Sequence, residues 1–440
     1  MKRIVLTTMG MAASVALALA ACSSGDSGTS TPSTDSSTPD TSPVTITFRW
    51  WGNDDRAARY TEALAVFKEQ YPYITVQTSF APFADYWTAR STEAAGRALP
   101  DVMQFDSSYL REYAANGHLL DYTPYIESGT IDLANFDQEL VGAGALDGEQ
   151  VGIAMSTNTL AMFVSPDVAA AAGVEFPAEG YTWEDLNRFI EDVSAADIKT
   201  AEGYKTYGSG DYVTTFWFFL QWLVQNDQQP FNDDGALNFD QDDIVEWLTL
   251  SADLRDGDLV YPINRGLSLA PLGGFTVNEV VSESSWDNFL AGYSADSGKT
   301  NLEMVPIPSG DDGETHNFFR PSMLVASGAN TDHPEAAATL VDFLLTDPEV
   351  GRIFGTSKGV PADSAQRAAI VTEEGSIDAK VIAYEEAIAE TETSQAPVPV
   401  KGFGTIEAKW KALGEELSFK NITPEEFAQQ WWDEAEMAIS

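Results

Sequence analysis

The chain has 440 residues, which allows two or three domains at roughly 100–200 residues each, and its 68 acidic and 24 basic residues leave a formal net charge of −44. That balance argues against nucleic-acid binding, which needs a basic face for phosphates, and against docking on anionic lipid through a basic patch. A single cysteine excludes a disulfide framework and a cysteine-built zinc site, and His118, His316 and His333 lack the four-residue spacing of a helical zinc pair, so neither a metal nor a cofactor is expected.

Lys2 and Arg3 precede an uncharged run, residues 4–21, rich in Ala, Val, Leu and Met. A basic start, an apolar centre and small residues at the end describe a secretory signal. A membrane-spanning helix is the alternative, but Ala, Ser, Thr and Gly are too frequent for one. The run ends in Leu19-Ala20-Ala21-Cys22, which resembles the bacterial lipobox, whose cysteine carries lipid after cleavage. Residues 1–21 are therefore read as a lipoprotein signal and Cys22 as the lipid anchor. Residues 22–43 are Ser, Thr, Asp, Gly and Pro with scarcely an apolar side chain, the composition of a disordered tether. As a flexible coil it spans about 25 Å, at roughly 5–6 Å × √n.

Residues 44–50 alternate, with Val44, Ile46, Phe48 and Trp50 on one face, and predict a strand. Residues 56–70 carry a helical stripe of Ala57, Tyr60, Leu64 and Phe67, stopped by Tyr71-Pro72. A second strand (74–80) and helix (85–96) follow, then a buried strand (102–105) and a helix (108–116) ended by Gly117. Three such units predict a parallel sheet whose ligands bind beyond the carboxyl ends of the strands. Further helices are predicted from Thr182, over 213–224, 242–254, 286–291, 334–345, 348–354 and 405–417, and from Thr423, whose Pro424 and Glu426 form a capping-box start.

The order of these pieces resembles the extracellular solute-binding proteins of bacterial ABC transporters, in the carbohydrate-binding branch related to maltose-binding protein. The resemblance rests on Phe48-Arg49-Trp50-Trp51-Gly52 with Tyr71-Pro72, on the Pro100-Asp101-Val102 strand, and on residues 114–121 followed by Thr123-Pro124. It continues in Gly152 to Phe163, in Thr182-Trp183-Glu184-Asp185-Leu186, in residues 324–327 with His333-Pro334-Glu335, and in Gly359-Val360-Pro361-Ala362. Ala154, where relatives often have proline, and Arg320, where many have glycine, depart from the pattern. The resemblance implies an α/β fold of two lobes of the periplasmic-binding type, with three hinge crossings and a ligand cleft between the lobes. Lobe 1 would hold residues 44–154 and 322–361, and lobe 2 residues 155–321 and 362–440. It implies a monomeric receptor on the outer face of the cytoplasmic membrane. The receptor would close on a carbohydrate, an oligosaccharide by the length of the chain, and deliver it to the permease subunits.

A sugar offers flat apolar faces and a rim of hydroxyls, so aromatic platforms and polar side chains at the cleft are the candidates. Trp51, Asn53 and Asp54 follow the first strand, though Asn53 or Asp54 alternatively caps the next helix. Phe83, Asp85 and Tyr86 follow the second strand, with the same capping alternative for Asp85. Asp106 and Tyr109 follow the third. In lobe 2 the candidates are Trp217 on an aromatic helix, Trp286 and Asn288 in a segment that faces the cleft in relatives, Arg320 before the second crossing, and Phe403 between two glycines. Trp222 and Trp410 are read as core. The competing functions are a secreted glycosidase, which needs paired carboxylates about 5–9.5 Å apart, and a surface carbohydrate receptor without transport. No P-loop, nucleophile elbow or dinucleotide fingerprint stands in a suitable context, and the chain is read as a non-enzyme.

Overall fold

A computed structural model describes residues 41–439 other than 137, 179, 233, 234, 392 and 395. The expected leader, Cys22 and the tether as far as residue 40 lie outside the described residues. Among the described residues no helix is long and apolar enough to cross a membrane.

Strand β1, Val44–Trp51, buries Ile46, Phe48 and Trp50 on one face, as its alternation requires. Asn53 caps helix α1, Asp54–Gln70, by accepting from the Arg56 N–H, and Asp54 and Asp55 face the positive end of the helix. Strands β2, Ile74–Ala81, and β3, Val102–Phe105, lie parallel to β1 on either side of it. Helix α2, Phe83–Ala95, begins two residues before the expected start, because Pro82 at φ −55° and ψ 153° stands just outside and fixes the entry. Helix α3, Ser107–Ala115, is capped by Asp106, and Gly117 takes φ 63° behind it.

The large sheet runs in the order Val360–Pro361, Ile153–Asn158, Arg320–Ala326, β3, β1, β2. A second sheet places Leu160–Val164 between Ser282–Trp286 and Glu303–Val305, all antiparallel. The fold is the two-lobe α/β architecture the resemblance implied. Only Thr159 separates the strand of the first sheet from the strand of the second. The chain returns through Phe318, which packs in the second core, to Arg320–Ala326 in the first sheet. It leaves again after Val360–Pro361, and Val381 of the helix Ile377–Ala389 packs with Phe163 on the second side. The short helix Ser364–Ala369 stays against Pro348–Phe354, where Gly351 lets the Gln366 backbone come within 2.3 Å of the place a Cβ would take.

Each lobe has its own core. Phe48, Tyr60, Phe67, Phe343 and Phe354 centre the first, and Phe218, Phe219, Trp247, Trp410 and Trp431 the second. Helix Phe216–Gln225 buries four consecutive aromatics, and its one polar stripe, Gln221 and Gln225, is also buried, donating to the carbonyls of Pro308, Thr315 and His316. The expected helix over 242–254 is instead two, Gln241–Thr249 and Ala252–Asp256, broken where the buried Ser251 hydroxyl donates to Asp211. The expected helix at 286–291 is also corrected. Trp286 ends a strand, Asp287–Phe289 forms a tight turn, and the helix is Leu290–Ser297. The C-terminal helix Pro424–Ile439 has its predicted capping box, with the Thr423 hydroxyl and Glu426 carboxylate exchanging backbone bonds.

Candidate functional site

The carboxyl ends of β1, β2 and β3 carry an aromatic wall. Trp51 meets Phe83 edge-on at 5.4 Å and Tyr86 at 5.5 Å, and lies 6.2 Å from Trp87. Trp87 stacks on Tyr109 at 3.8 Å. Phe83 is exposed at the rim. Asp54 and Asp85 are exposed in the first turns of α1 and α2, and Asn53 is exposed at its cap position. Tyr86 lies in the core instead, because its hydroxyl donates to the Gln104 carbonyl at 2.7 Å inside the lobe.

The second group of predicted residues converges on one guanidinium. Arg320 donates from Nη2 to Ser107 Oγ at 2.6 Å and lies 3.4 Å from Asp106 Oδ1. Its other side covers the rings of Trp217 at 4.1 Å and Trp286 at 5.0 Å. Arg320 begins a strand of the first sheet, whereas Trp217 and Trp286 belong to the second core, so this contact joins the lobes. Asn288, half-buried two residues after Trp286, has an Oδ1 with no partner among the described residues. Phe403 is a correction. It is not in a flexible loop but opens the helix Phe403–Ser418, fully enclosed by Phe216, Trp217 and Phe231. The left-handed Gly402 at φ 78° starts that helix two residues early and turns the ring inward.

Glu407, one turn after Phe403, was not among the predicted residues. Its Oε1 accepts from Trp217 Nε1 at 2.8 Å, and its carboxyl lies near Ser108 of α3. Burial and the nearby Asp106 push it up to about 7, partly offset by Arg320, Trp217 and Ser108. Nothing in the sequence distinguishes this acid from the many others; only its position four residues beyond an aromatic on one helix hints at a shared face. Asn158 was also missed. It ends its strand opposite Arg320, is 4% exposed and has an Oδ1 with no partner among the described residues.

The lobes also touch at Tyr109 and Gly404, where an added Cβ would lie 2.4 Å from the tyrosine ring. Glycine is needed for that approach, because the ring is itself held by Trp87. Gly404→Val is expected to force the lobes apart, and small-angle scattering of the unliganded protein checks this as an increased radius of gyration. An unchanged profile contradicts it.

Stacking faces and unpartnered polar atoms suit binding of a polyhydroxylated molecule. Among the described residues no group of three His, Cys, Asp or Glu could hold a metal ion. Two cavities lie apart from the aromatic wall. One of about 560 Å³ in the second lobe is lined by Tyr261, Glu283 and Lys420, and one of about 1150 Å³ beside the crossings by Thr157, Pro321, Val360 and Glu385. The predicted site residues line neither: Trp51 and Phe83 stand in the aromatic wall, and Asp106, Trp217 and Trp286 pack around Arg320.

Residues 52–350 match the family model described as bacterial extracellular solute-binding protein. Among solved structures, an extracellular solute-binding protein family 1 from Alicyclobacillus acidocaldarius is 25% identical, with a TM-score of 0.61, covering 91% of this chain and 99% of its own. An ABC substrate-binding protein from Listeria monocytogenes, solved with cycloalternan, is 20% identical with a TM-score of 0.76, covering 90% and 98%. A periplasmic oligogalacturonide binding protein from Yersinia enterocolitica, solved with saturated digalacturonic acid, is 20% identical with a TM-score of 0.76, covering 90% and 100%.

Proposed function

Because the chain belongs to the bacterial extracellular solute-binding protein family, we propose that it captures an oligosaccharide between its lobes and hands it, unchanged, to an ABC importer. The observation that carries this reading is the Arg320 cluster. Two tryptophan faces, a guanidinium, Asp106 and Glu407 meet where the lobes join. Among the described residues, Arg320 and Asn158 opposite it each keep an unpartnered buried polar atom, as does Asn288, two residues after Trp286. Buried polar atoms are ordinarily paired, so these are suited to ligand hydroxyls. Relatives of the same fold, solved with cycloalternan and with digalacturonic acid, agree with a saccharide ligand.

In this reading the boundaries expected from the sequence move by a few residues to follow the sheets: residues 44–158 and 320–361 form one lobe, with Ser364–Ala369 travelling with it, and 159–319 with the rest of 362–440 form the other. Opening at the Tyr109–Gly404 contact frees Trp217 and Trp286 from Arg320, and closure follows from the sugar's higher affinity for the closed form. Cys22 anchors the chain by lipid outside the cytoplasmic membrane, and one lobe pair suffices as a monomer. Cys22→Ser is expected to release the protein into the medium, read by immunoblot of cell and supernatant fractions. Retention with the cells contradicts the anchor.

The testing experiment is titration calorimetry with tryptophan fluorescence over a panel of di- to hexasaccharides. A saturable one-to-one response, with the sugar recovered intact, supports the receptor reading. Sugar recovered in smaller pieces overturns it in favour of a hydrolase, and silence across the panel overturns the saccharide assignment.

A further inference from the structure

Lys358 is 4% exposed, yet among the described residues its Nζ makes no hydrogen bond and no ion pair. It faces only the rings of Phe354 at 3.8 Å and Tyr60 at 5.4 Å. Beside it stands a second cation, Arg56. Among the described residues the Arg56 guanidinium reaches only neutral carbonyls, Trp51 at 3.1 Å and Ser357 at 3.3 Å. The neighbouring acids are engaged elsewhere. Asp55 holds Arg59 at 2.9 Å, and Asp378 accepts from the Thr356 N–H and hydroxyl. Exposed cations can forgo an ion pair because water solvates them, but for two adjacent cations withdrawn from solvent the lack of a carboxylate partner is unfavourable. Burial and Arg56 together push the Lys358 amine down to about 7, and no acid raises it.

Their place is the cleft edge of the first sheet. Lys358 comes two residues before Val360, which pairs with Thr157, and its carbonyl accepts from Ser322, two residues after Arg320. Arg56 bridges Ser357 to the end of β1, beside the aromatic wall. We propose that the sugar carries an anionic group, and that Lys358 with Arg56 receives it where the first lobe meets the cleft. The proposal rests on the saccharide-receptor reading above. An anion supplies the missing partner for both cations, in charge-assisted hydrogen bonds about twice as strong as neutral ones. The overall negative charge repels such a ligand at long range, but at physiological salt that field fades within about 8 Å, whereas the local pair acts at contact.

The test compares uronate disaccharides with their neutral methyl esters and with sulfated disaccharides on the unaltered protein. A preference of at least ten-fold for the acid over its ester supports the proposal with a carboxylate as the group. The same preference confined to sulfated sugars supports it with a sulfate. Equal affinity for acid and ester, with no preference for the sulfated sugars either, overturns it and leaves the receptor reading standing, and no binding of any sugar overturns that reading as well. Lys358→Met is expected to abolish the preference while neutral sugars still bind, and Lys358→Arg to retain it. Where Lys358→Met does not fold, the acid-against-ester comparison decides alone.

Discussion

Arg320→Ala is expected to weaken sugar binding by about 100-fold, about 2.7 kcal/mol, and to destabilise the protein by about 3 kcal/mol. The guanidinium is 6% exposed and is shared between two tryptophan faces of one lobe and Ser107 with Asp106 of the other. Its removal leaves Asp106 without its cation and opens a gap between two large rings, so both pairing and packing are lost. Arg320→Lys separates the two. It keeps the charge but not the planar group that lies on both rings, so it is expected to recover most of the stability and little of the affinity. Urea denaturation and titration calorimetry on the two variants read the two effects. Full affinity in Arg320→Ala would remove the residue from the site.

The contrast between Arg320 and Phe403 shows what the sequence made legible. Strand alternation and cap residues marked the ends of β1, β2 and β3, and a parallel sheet places ligands at those ends, so Trp51, Asp106 and Tyr109 followed from local pattern. Arg320 was visible because it replaces a residue the family usually keeps small. Phe403 misled, because a ring between two glycines reads as a loop until Gly402 is seen to take the left-handed turn that starts a helix. Trp286 was found in the right segment but on the wrong element, since Ser282–Trp286 alternates too weakly to announce a strand. Glu407, Asn158 and Lys358 reach their places only through long-range packing, and no local period encodes that.

Asp287 and Glu385 are both buried at the first crossing, where the Thr159 N–H donates to Asp287 at 3.2 Å and the Thr157 hydroxyl to Glu385 at 2.9 Å. Burial and the neighbouring Glu385 push Asp287 well up, and burial pushes Glu385 up to about 7 against the pull of its hydrogen bonds and of Arg367. Glu407, between the lobes, is also pushed up to about 7. Carboxyls raised in the folded state bind protons the unfolded chain has already lost. The folded state is therefore favoured below the ordinary carboxylate range, and stability falls as pH rises through about 7. A carboxyl whose pKa rises by one on folding contributes about 1.4 kcal/mol that is lost over this interval. Denaturation from pH 4.5 to 8 is therefore expected to show stability decreasing with pH, the reverse of a protein held by paired carboxylates. Asp287→Asn keeps the shape, removes one charge and flattens the slope, and Glu407→Gln does the same for the carboxyl between the lobes. Two threonines tie the first pair to a crossing strand, so its ionisation also strains the hinge. Sugar affinity is thus expected to fall over the same interval in the unaltered protein and to hold in Asp287→Asn. A stability that rises with pH would show that both carboxyls are ionised within the fold.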